Sequence, residues 1–353
     1  MPGSAALILA AGKGTRMHSD KPKVLQTLLG TPMIACVIEA LRPIFSEDIW
    51  IVAGHGAEHV KAVFPERHFI LQEQQLGTGH ALQCALPVLT RAGYTRLLVV
   101  NGDAPLLSES VVRLFLQESK EADIAFATIE MDNPGSYGRV VREQDNIRAI
   151  VEAKDYDPAQ FGQATGEVNA GMYSCSLSVV EKFLPQLGNT NQSGEYYITD
   201  LIGLAVAENF HVKGVRCGRD EALMGVNSPA ELTSMEERLR VRIVEKLLAS
   251  GVILHSPQLI SVGPLAIVEP GAELSGPCEI YGRTVIRRGA SIASHCVIFD
   301  SFIETDAEVR SFSHLEGAHV GPSSLVGPYA RLRPGAMLEE GTHVGNFVEL
   351  KKT

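Results

Sequence analysis

The chain has 353 residues, 45% hydrophobic and 20% charged, a composition typical of a folded soluble protein with two domains. Its formal charge of −10 and pI near 5.6 disfavour binding to nucleic acid or to a membrane surface. The sequence has no run of membrane-spanning length and no recognisable signal peptide, and its six dispersed cysteines indicate reduced cytosolic thiols rather than a zinc site.

Residues 1–225 alternate apolar strands with amphipathic segments, a pattern that predicts an α/β sheet. The predicted strands are 5–11, 48–53, 96–101 and 123–129. The predicted helices are 33–41, 108–119 and 177–184. In such a sheet, functional loops lie at the carboxyl ends of the strands.

A glycine-rich turn, Gly12-Lys13-Gly14, follows the first predicted strand, and Arg16 and Lys23 come soon after it. Free N–H groups and fixed positive charge both favour the binding of a polyphosphate. The turn matches neither the P-loop nor the dinucleotide fingerprint, because Met17 stands where a third small residue is required. An ordinary turn between strand and helix is the alternative, but the spacing of the cations favours a phosphate site.

Three further segments suggest ligand contacts, each with a structural alternative. Asp103 follows the strand 96–101 and is suited to hold Mg²⁺, although it could equally cap the next helix. The polar run 72–79 could contact a base edge, or it could be an ordinary loop. The run Glu-Tyr-Tyr-Ile-Thr-Asp at 195–200 could line a sugar pocket or begin a helix.

The C-terminal third follows a different pattern. Residues 229–250, with Pro in the first turn, predict one connecting helix. Aliphatic residues then recur every sixth position with two one-residue slips, which predicts a hexapeptide parallel β-helix. They are Val262, Val268, Leu274, Ile280, Ile286, Ile292, Ile298, Ile303, Val309, Leu315, Val320, Val326, Leu332, Leu338, Val344 and Leu350. The repeat reaches Leu350 without a capping segment, so a truncated chain is expected.

These motifs together resemble the bifunctional bacterial N-acetylglucosamine-1-phosphate uridylyltransferase / glucosamine-1-phosphate N-acetyltransferase family. The resemblance runs from end to end of the chain. Its motifs are 9–17, 22–23, 75–81, 102–103, 137–139, 152–155, 195–200, 225–227, 331–335 and 343–352. It implies a Rossmann-like nucleotidyltransferase domain (1–228), a linker helix (229–250) and part of a left-handed β-helix acetyltransferase domain (251–353), assembled as a cytoplasmic homotrimer.

The resemblance also implies roles for individual residues. The uridine part of UTP would contact Leu9, Ala10, Ala11, Gly12, Gln72, Gly77 and Thr78, and its phosphates would contact Arg16 and Lys23. Asp103 and Asn227 would hold Mg²⁺, with Asn101 and Gly102 also lining the substrate site. The amino sugar would contact Gly138, Glu152 and Asn169, and its phosphate would lie beside Tyr197 and Thr199. Arg333 and Lys351 match phosphate-binding positions of the acetyltransferase site.

The implied reaction is Mg²⁺-dependent transfer of UMP from UTP to N-acetylglucosamine-1-phosphate, which yields UDP-N-acetylglucosamine and pyrophosphate for peptidoglycan and lipopolysaccharide precursors. Acetyl transfer from acetyl-CoA is expected only in a longer form, because the family's catalytic histidine lies beyond Lys351-Lys352. Two alternatives stay open: another sugar-1-phosphate nucleotidyltransferase with a β-helix, and a non-catalytic nucleotide-binding scaffold.

Overall fold

The structure is a computed structural model that describes residues 3–217 and 221–352. It divides into two compact units. The first unit holds the chain up to Gln26 together with Met33–Pro229. The second holds the short segment Thr27–Pro32 together with the chain from Ala230 onward.

A mixed β-sheet forms the centre of the first unit, with strands in the order β11-β7-β10-β6-β1-β4-β5, while β8 pairs with β10 and β9. The strands are β1 (Ser4–Ala10), β4 (Ile49–Ala53), β5 (His68–Leu71), β6 (Arg96–Asn101), β7 (Ile124–Glu130), β8 (Arg139–Glu143), β9 (Asn146–Val151), β10 (Glu167–Ser176) and β11 (Val212–Arg216). The short strands β2 (Thr27–Leu28) and β3 (Thr31–Pro32) lie in the second unit.

The first predicted strand is confirmed as β1, shifted by one residue. It pairs in parallel with β4 and β6, and residues 5–8 are completely buried because both faces of the sheet are covered. The strand predicted at 96–101 is confirmed as β6 with the same bounds, and the other two predicted strands are each shifted by one residue. The α/β prediction is therefore confirmed.

Helices pack on both faces of this sheet. They are α1 (Met33–Phe45), α2 (Ala57–Val63), α3 (Thr78–Arg91), α4 (Glu109–Glu118), α5 (Pro158–Phe161), α6 (Leu177–Phe183) and α7 (Asp200–Ala207). Ser108 and Ser176 cap α4 and α6 by accepting backbone N–H hydrogen bonds. The helix predicted to end at Leu41 continues through Pro43, because Ile44 and Phe45 are buried in the core.

The second unit begins with α8 (Pro229–Ser250), whose bounds match the predicted linker helix. Three parallel sheets follow, β12-β15-β18-β21-β24-β27, β13-β16-β19-β22-β25-β28 and β14-β17-β20-β23-β26. The strands are β12 (Ile253–His255), β13 (Ile260–Val262), β14 (Ile267–Val268), β15 (Glu273–Ser275), β16 (Cys278–Tyr281), β17 (Val285–Ile286), β18 (Ser291–Ile292), β19 (Cys296–Phe299), β20 (Phe302–Ile303), β21 (Glu308–Val309), β22 (His314–Glu316), β23 (His319–Val320), β24 (Leu325–Val326), β25 (Arg331–Leu332), β26 (Met337–Leu338), β27 (His343–Val344) and β28 (Glu349–Leu350).

This arrangement confirms the predicted β-helix. Of the sixteen aliphatic residues in the repeat, all but Leu350 are buried in the interior. Leu274 pairs with Ile292, 18 residues on, and Ile292 pairs with Val309, 17 residues on. The one-residue slips in the sequence thus correspond to shortened coils, and the inward-facing positions stay aligned across them.

An outer corner of the β-helix carries a column of stacked rings, formed by His295, Phe312, Tyr329 and Phe347, here called the aromatic column. Successive ring centroids are 4.6, 4.9 and 5.2 Å apart. All four residues have a positive φ, between 55° and 63°, which is unfavourable for residues with a side chain. Stacking of each ring on the next helps to offset that cost.

The hairpin of β2 and β3 packs within the second unit. The backbone N–H of Leu29 donates to Glu236 in α8, over 2.9 Å. Gly30, with φ +74°, lies so close to the ring of Tyr281 that an added Cβ would be only 2.9 Å from it. The close approach therefore requires glycine at this position.

Across the described residues, no helix is both long enough and apolar enough to cross a membrane.

The interior position of Ile298 generates a stability prediction. Ile298→Ala should lower the free energy of unfolding by about 2–5 kcal/mol, because it leaves a cavity between stacked coils. The matched control is Val297→Ala in the same strand, whose side chain points outward and is half-buried, so its cost should be much smaller. Urea unfolding followed by circular dichroism measures both, and equal losses would contradict the interior stacking.

Candidate functional site

A cleft of about 510 Å³ lies at the carboxyl ends of β1 and β6 and is here called the glycine-loop cleft. β1 and β6 are parallel neighbours, so the loops that follow them meet at one edge of the sheet. Nine of the predicted site residues line it: Leu9, Ala11, Gly12, Lys23, Gln72, Gly77, Thr78, Asn101 and Asp103. Ala10 ends β1, and the Gly102 N–H donates to the Leu9 carbonyl oxygen over 2.9 Å.

The glycine-rich turn lets backbone and Lys23 approach the same space. A Cβ added to Gly12 would meet no atom within 4 Å, so this position leaves an open passage. Gly14 has φ +60°, and a Cβ there would lie 2.7 Å from the Cβ of Lys23. Glycine at position 14 is therefore required for Lys23 to reach the cleft.

Lys23, Asp103 and Asn227 converge on one point. The Lys23 ammonium forms an ion pair with Asp103 Oδ2 and donates to Asn227 Oδ1 over 3.1 Å. Lys23 and Asp103 expose only 16% and 15% of their side chains, so solvent screens the pair weakly. The sequence separates these residues by 80 and 204 positions, and the fold brings them together.

The same residues suit a divalent cation. Asp103 Oδ1 is buried and has no hydrogen-bond partner, so one carboxylate oxygen remains available to a ligand. A Cβ on Gly225 would lie 3.0 Å from that oxygen, which shows how closely the backbone surrounds it. Carboxylate and amide oxygens are ligands that Mg²⁺ accepts when phosphate oxygens complete its shell. Within residues 3–217 and 221–352, His, Cys, Asp and Glu form no cluster of three suited to a metal.

The two other cations of the loop differ in position. Lys13, to which the sequence assigned no role, lines the glycine-loop cleft. Arg16 lies in a short 3-10 helix, Thr15–Met17, where its side chain is exposed, and it does not line the cleft. The structure thus brings Lys23 and Lys13 to the cleft and leaves Arg16 at the surface.

A second cleft, of about 590 Å³, contains the predicted sugar-site residues Glu152, Tyr197 and Thr199 and is here called the acidic cleft. The Thr199 hydroxyl donates to Glu152 Oε1 over 3.1 Å. A Cβ on Gly138 would lie 3.4 Å from the same oxygen, and the Asn169 N–H donates to the Gly138 carbonyl oxygen. The predicted sugar-site residues therefore form one cluster.

Burial controls the ionisation of this cluster. It raises the pKa of the Glu152 carboxyl, and neighbouring carboxylates, Asp200 first among them, raise it further. Burial, assisted by Asp155, raises the pKa of Asp200 to about 6. Asp155 itself has a buried Oδ2 without a hydrogen-bond partner, while its Oδ1 accepts from the Gln192 N–H.

Asn169 is held from two sides. Its Nδ2 donates to the Tyr173 hydroxyl over 2.6 Å, and its Oδ1 accepts from the Gly171 N–H over 3.1 Å. Tyr173 is almost completely buried. The amide of Asn169 is thus fixed in one orientation by residues of its own strand, β10.

In the second unit, Arg333 follows β25 and lies 3.5 Å from Glu349 in β28. Lys351 is exposed directly after β28. The two predicted phosphate ligands therefore lie after adjacent strands of one sheet.

Sequence reasoning did not assign a site role to Asp155, Tyr173, Gln75 or Glu195. Gln75 and Glu195 line the glycine-loop cleft, and both belong to runs that the sequence had marked as polar. Asp155 belongs to the motif 152–155, although no role was attached to it. Tyr173 carries no sequence signal, because an aromatic residue in a buried strand is ordinarily a core residue.

Comparisons with known proteins agree with this geometry. A model of the MobA-like NTP transferase domain matches residues 6–156. The bifunctional protein GlmU of Nitratidesulfovibrio vulgaris Hildenborough is 56% identical over 351 residues, which cover 99% of this chain and 77% of that protein. The GlmU proteins of Lawsonia intracellularis and Acinetobacter baumannii ACICU are 48% and 36% identical, with the same two coverages.

Among solved structures, HddC from Yersinia pseudotuberculosis superposes with a TM-score of 0.49 and 20% identity, over 67% of this chain and 99% of that one, and no argument rests on it. The relatives of high identity span almost the whole chain, including both clefts and the β-helix. The protein is therefore a member of the bifunctional GlmU family, an enzyme of the sugar-phosphate nucleotidyltransferase type.

Proposed function

We propose that the protein transfers UMP from UTP to N-acetylglucosamine-1-phosphate and releases pyrophosphate, with Mg²⁺ as its metal. The observation that carries this proposal is the convergence of Lys23, Asp103 and Asn227 in the glycine-loop cleft, with one buried carboxylate oxygen of Asp103 left without a partner. The product, UDP-N-acetylglucosamine, would supply cell-wall precursors. The proposal includes a cytoplasmic homotrimer and functional boundaries at 1–228, 229–250 and 251–353.

The chemistry requires no nucleophile from the protein. A phosphate oxygen of the sugar phosphate attacks the α-phosphorus of UTP, a new P–O bond forms, and the bond to the bridging oxygen breaks as pyrophosphate leaves. The attacking phosphate is already anionic, so no proton must pass to a side chain. Catalysis then depends on positioning two anions and on neutralising their charge.

Lys23 and Asp103 divide the electrostatic work. Asp103 and Asn227 would hold the Mg²⁺, whose positive charge offsets the negative charge of the phosphates. Lys23 balances the Asp103 carboxylate in the absence of ligand and presents an ammonium group to the phosphates when they arrive. Arg16, exposed on its short helix, would contact the outer phosphates.

The two clefts would take the two substrates. Leu9, Ala10, Ala11 and Gly12 would approach the nucleoside through the backbone, with Gln72, Gly77 and Thr78 at the base. Asn101 and Gly102 would line the space between the base and the metal. The acidic cleft would take the amino sugar through Gly138, Glu152 and Asn169, with Tyr197 and Thr199 beside its phosphate.

The reaction is tested by pyrophosphate release with N-acetylglucosamine-1-phosphate and a panel of UTP, CTP, ATP, GTP and dTTP. UTP should give the highest kcat/KM, and removal of Mg²⁺ with a chelator should stop the reaction. Preference for another nucleotide would refute the uridylyl assignment. Nucleotide binding without any pyrophosphate release would favour the scaffold alternative.

Asp103→Ala should lower turnover by roughly 10²-fold or more, because it removes both the metal ligand and the partner of Lys23. The matched control is Asp145→Ala, which removes an exposed carboxylate from the turn between β8 and β9 and should leave turnover unchanged. Initial rates of pyrophosphate release measure both variants. Near-normal turnover of Asp103→Ala would reject the metal assignment.

The raised pKa of Asp200 predicts a pH-dependent stability. Burial favours the neutral carboxyl, so the folded chain binds this proton more tightly than the unfolded chain. Stability is therefore lost as pH rises from the ordinary value of 3.8 to about 6, and the loss persists above that. Asp200→Asn, which cannot ionise, should raise the melting temperature at pH 7.5.

The same substitution should have little effect near pH 4, where Asp200 is protonated in the folded chain. Differential scanning fluorimetry across this range measures the difference between variant and parent. Asp20→Asn, at an exposed position, serves as the control and should give a small difference at every pH. A difference for Asp200→Asn that does not change with pH would contradict the burial effect.

A further inference from the structure

The side chain of Gln72 has a fixed orientation in the glycine-loop cleft. It is only 3% exposed, and its Nε2 lies 3.0 Å from the Gly77 carbonyl oxygen and 3.0 Å from His80 Nδ1. An amide nitrogen carries two protons, so both are committed to acceptors of the protein. The oxygen Oε1 has no hydrogen bond from the described residues, so an acceptor is what Gln72 offers to a ligand.

The contact also determines the state of His80. Because the Gln72 amide nitrogen can only donate, His80 Nδ1 must accept and therefore carries no proton. The ring proton then lies on Nε2, which faces Cys84 Sγ at 3.8 Å. His80 and Cys84 are four residues apart in α3, so the helix itself holds the imidazole in this tautomer.

We infer that His80 is a specificity-determining positioning residue, whose neutral imidazole locks the Gln72 amide so that the cleft presents a hydrogen-bond acceptor to the nucleotide base. The base selected is one with a ring N–H donor, as uracil has at N3. Cytosine has an acceptor at N3, which would face the Gln72 oxygen without a proton between them. This inference rests on the proposed uridylyl transfer and concerns how the base is chosen.

The two anchors of the amide make different contributions. The Gly77 carbonyl comes from the backbone and is present whatever the side chain at position 80. Without His80 Nδ1, one of two hydrogen bonds remains, and the inverted amide that suits cytosine becomes less costly. The net contribution of one hydrogen bond is equivalent to roughly a three- to tenfold change in an equilibrium. A comparable fall in discrimination between UTP and CTP is expected.

The test separates the acceptor atom of His80 from the bulk of its ring. His80→Phe keeps a ring beside Tyr196 but has no acceptor, and His80→Leu removes both. His80→Asn loses the ring but can place its Oδ1 near the position of Nδ1. The ratio of kcat/KM for UTP to that for CTP is measured for the parent and all three variants, with thermal melting to compare their folding.

The ratio should fall roughly three- to tenfold in His80→Phe and His80→Leu, mainly through a higher KM for UTP, and His80→Asn should restore part of it. An unchanged ratio in both Phe and Leu variants would overturn the inference. So would a ratio that follows the ring, preserved in His80→Phe and lost in His80→Asn. If the parent chain gives no uridylyl transfer, the proposed function itself is wrong, which is a distinguishable result.

Discussion

The ion pair between Lys23 and Asp103 is the interaction on which the glycine-loop cleft depends. It joins the segment after β1 to the end of β6, and Asn227 adds a third segment from far along the chain. Gly14 and Gly225 leave the space that these side chains occupy. Without ligand the pair keeps two buried charges compensated, which avoids the large cost of an isolated buried charge. The same two groups are then available, with opposite signs, to a metal and to a phosphate.

The two clefts of the first unit differ in charge, and the difference suits two substrates. Lys13 and Lys23 line the glycine-loop cleft, whereas Glu152, Asp155 and Asp200 line the acidic one. A nucleoside triphosphate requires positive charge beside it. A neutral amino sugar requires hydrogen-bond acceptors for its hydroxyl groups, and carboxylates provide these. Residues Asn101 and Gly171, whose packing is close enough to exclude a Cβ at Gly171, connect the end of β6 to β10, which carries Asn169.

Periodic features of this fold could be predicted from sequence, and contacts between distant side chains could not. The sixfold repeat gave the β-helix because each inward residue is fixed by its neighbours one coil away, so the pattern is local and regular. The helix at 229–250 and the strand at 96–101 were predicted with their observed bounds for a similar reason. The Asn169–Tyr173 pair, the His80–Gln72 contact and the placement of Thr27–Pro32 in the second unit left no periodic trace. The continuation of α1 past Pro43 was missed because burial of Ile44 and Phe45 outweighs the local effect of proline.

The aromatic column imposes a length rule on the β-helix. Its rings recur at intervals of 17, 17 and 18 residues, and each stacks on the ring of the preceding coil. A single inserted residue between two rings would move the later ring away from its corner and also turn the inward aliphatic residues of that coil. Length variation at this corner is thus restricted to whole coils, or to loops that leave the wall and return to the same position. The column works as a register mark, against which an insertion or deletion in this part of the chain becomes visible.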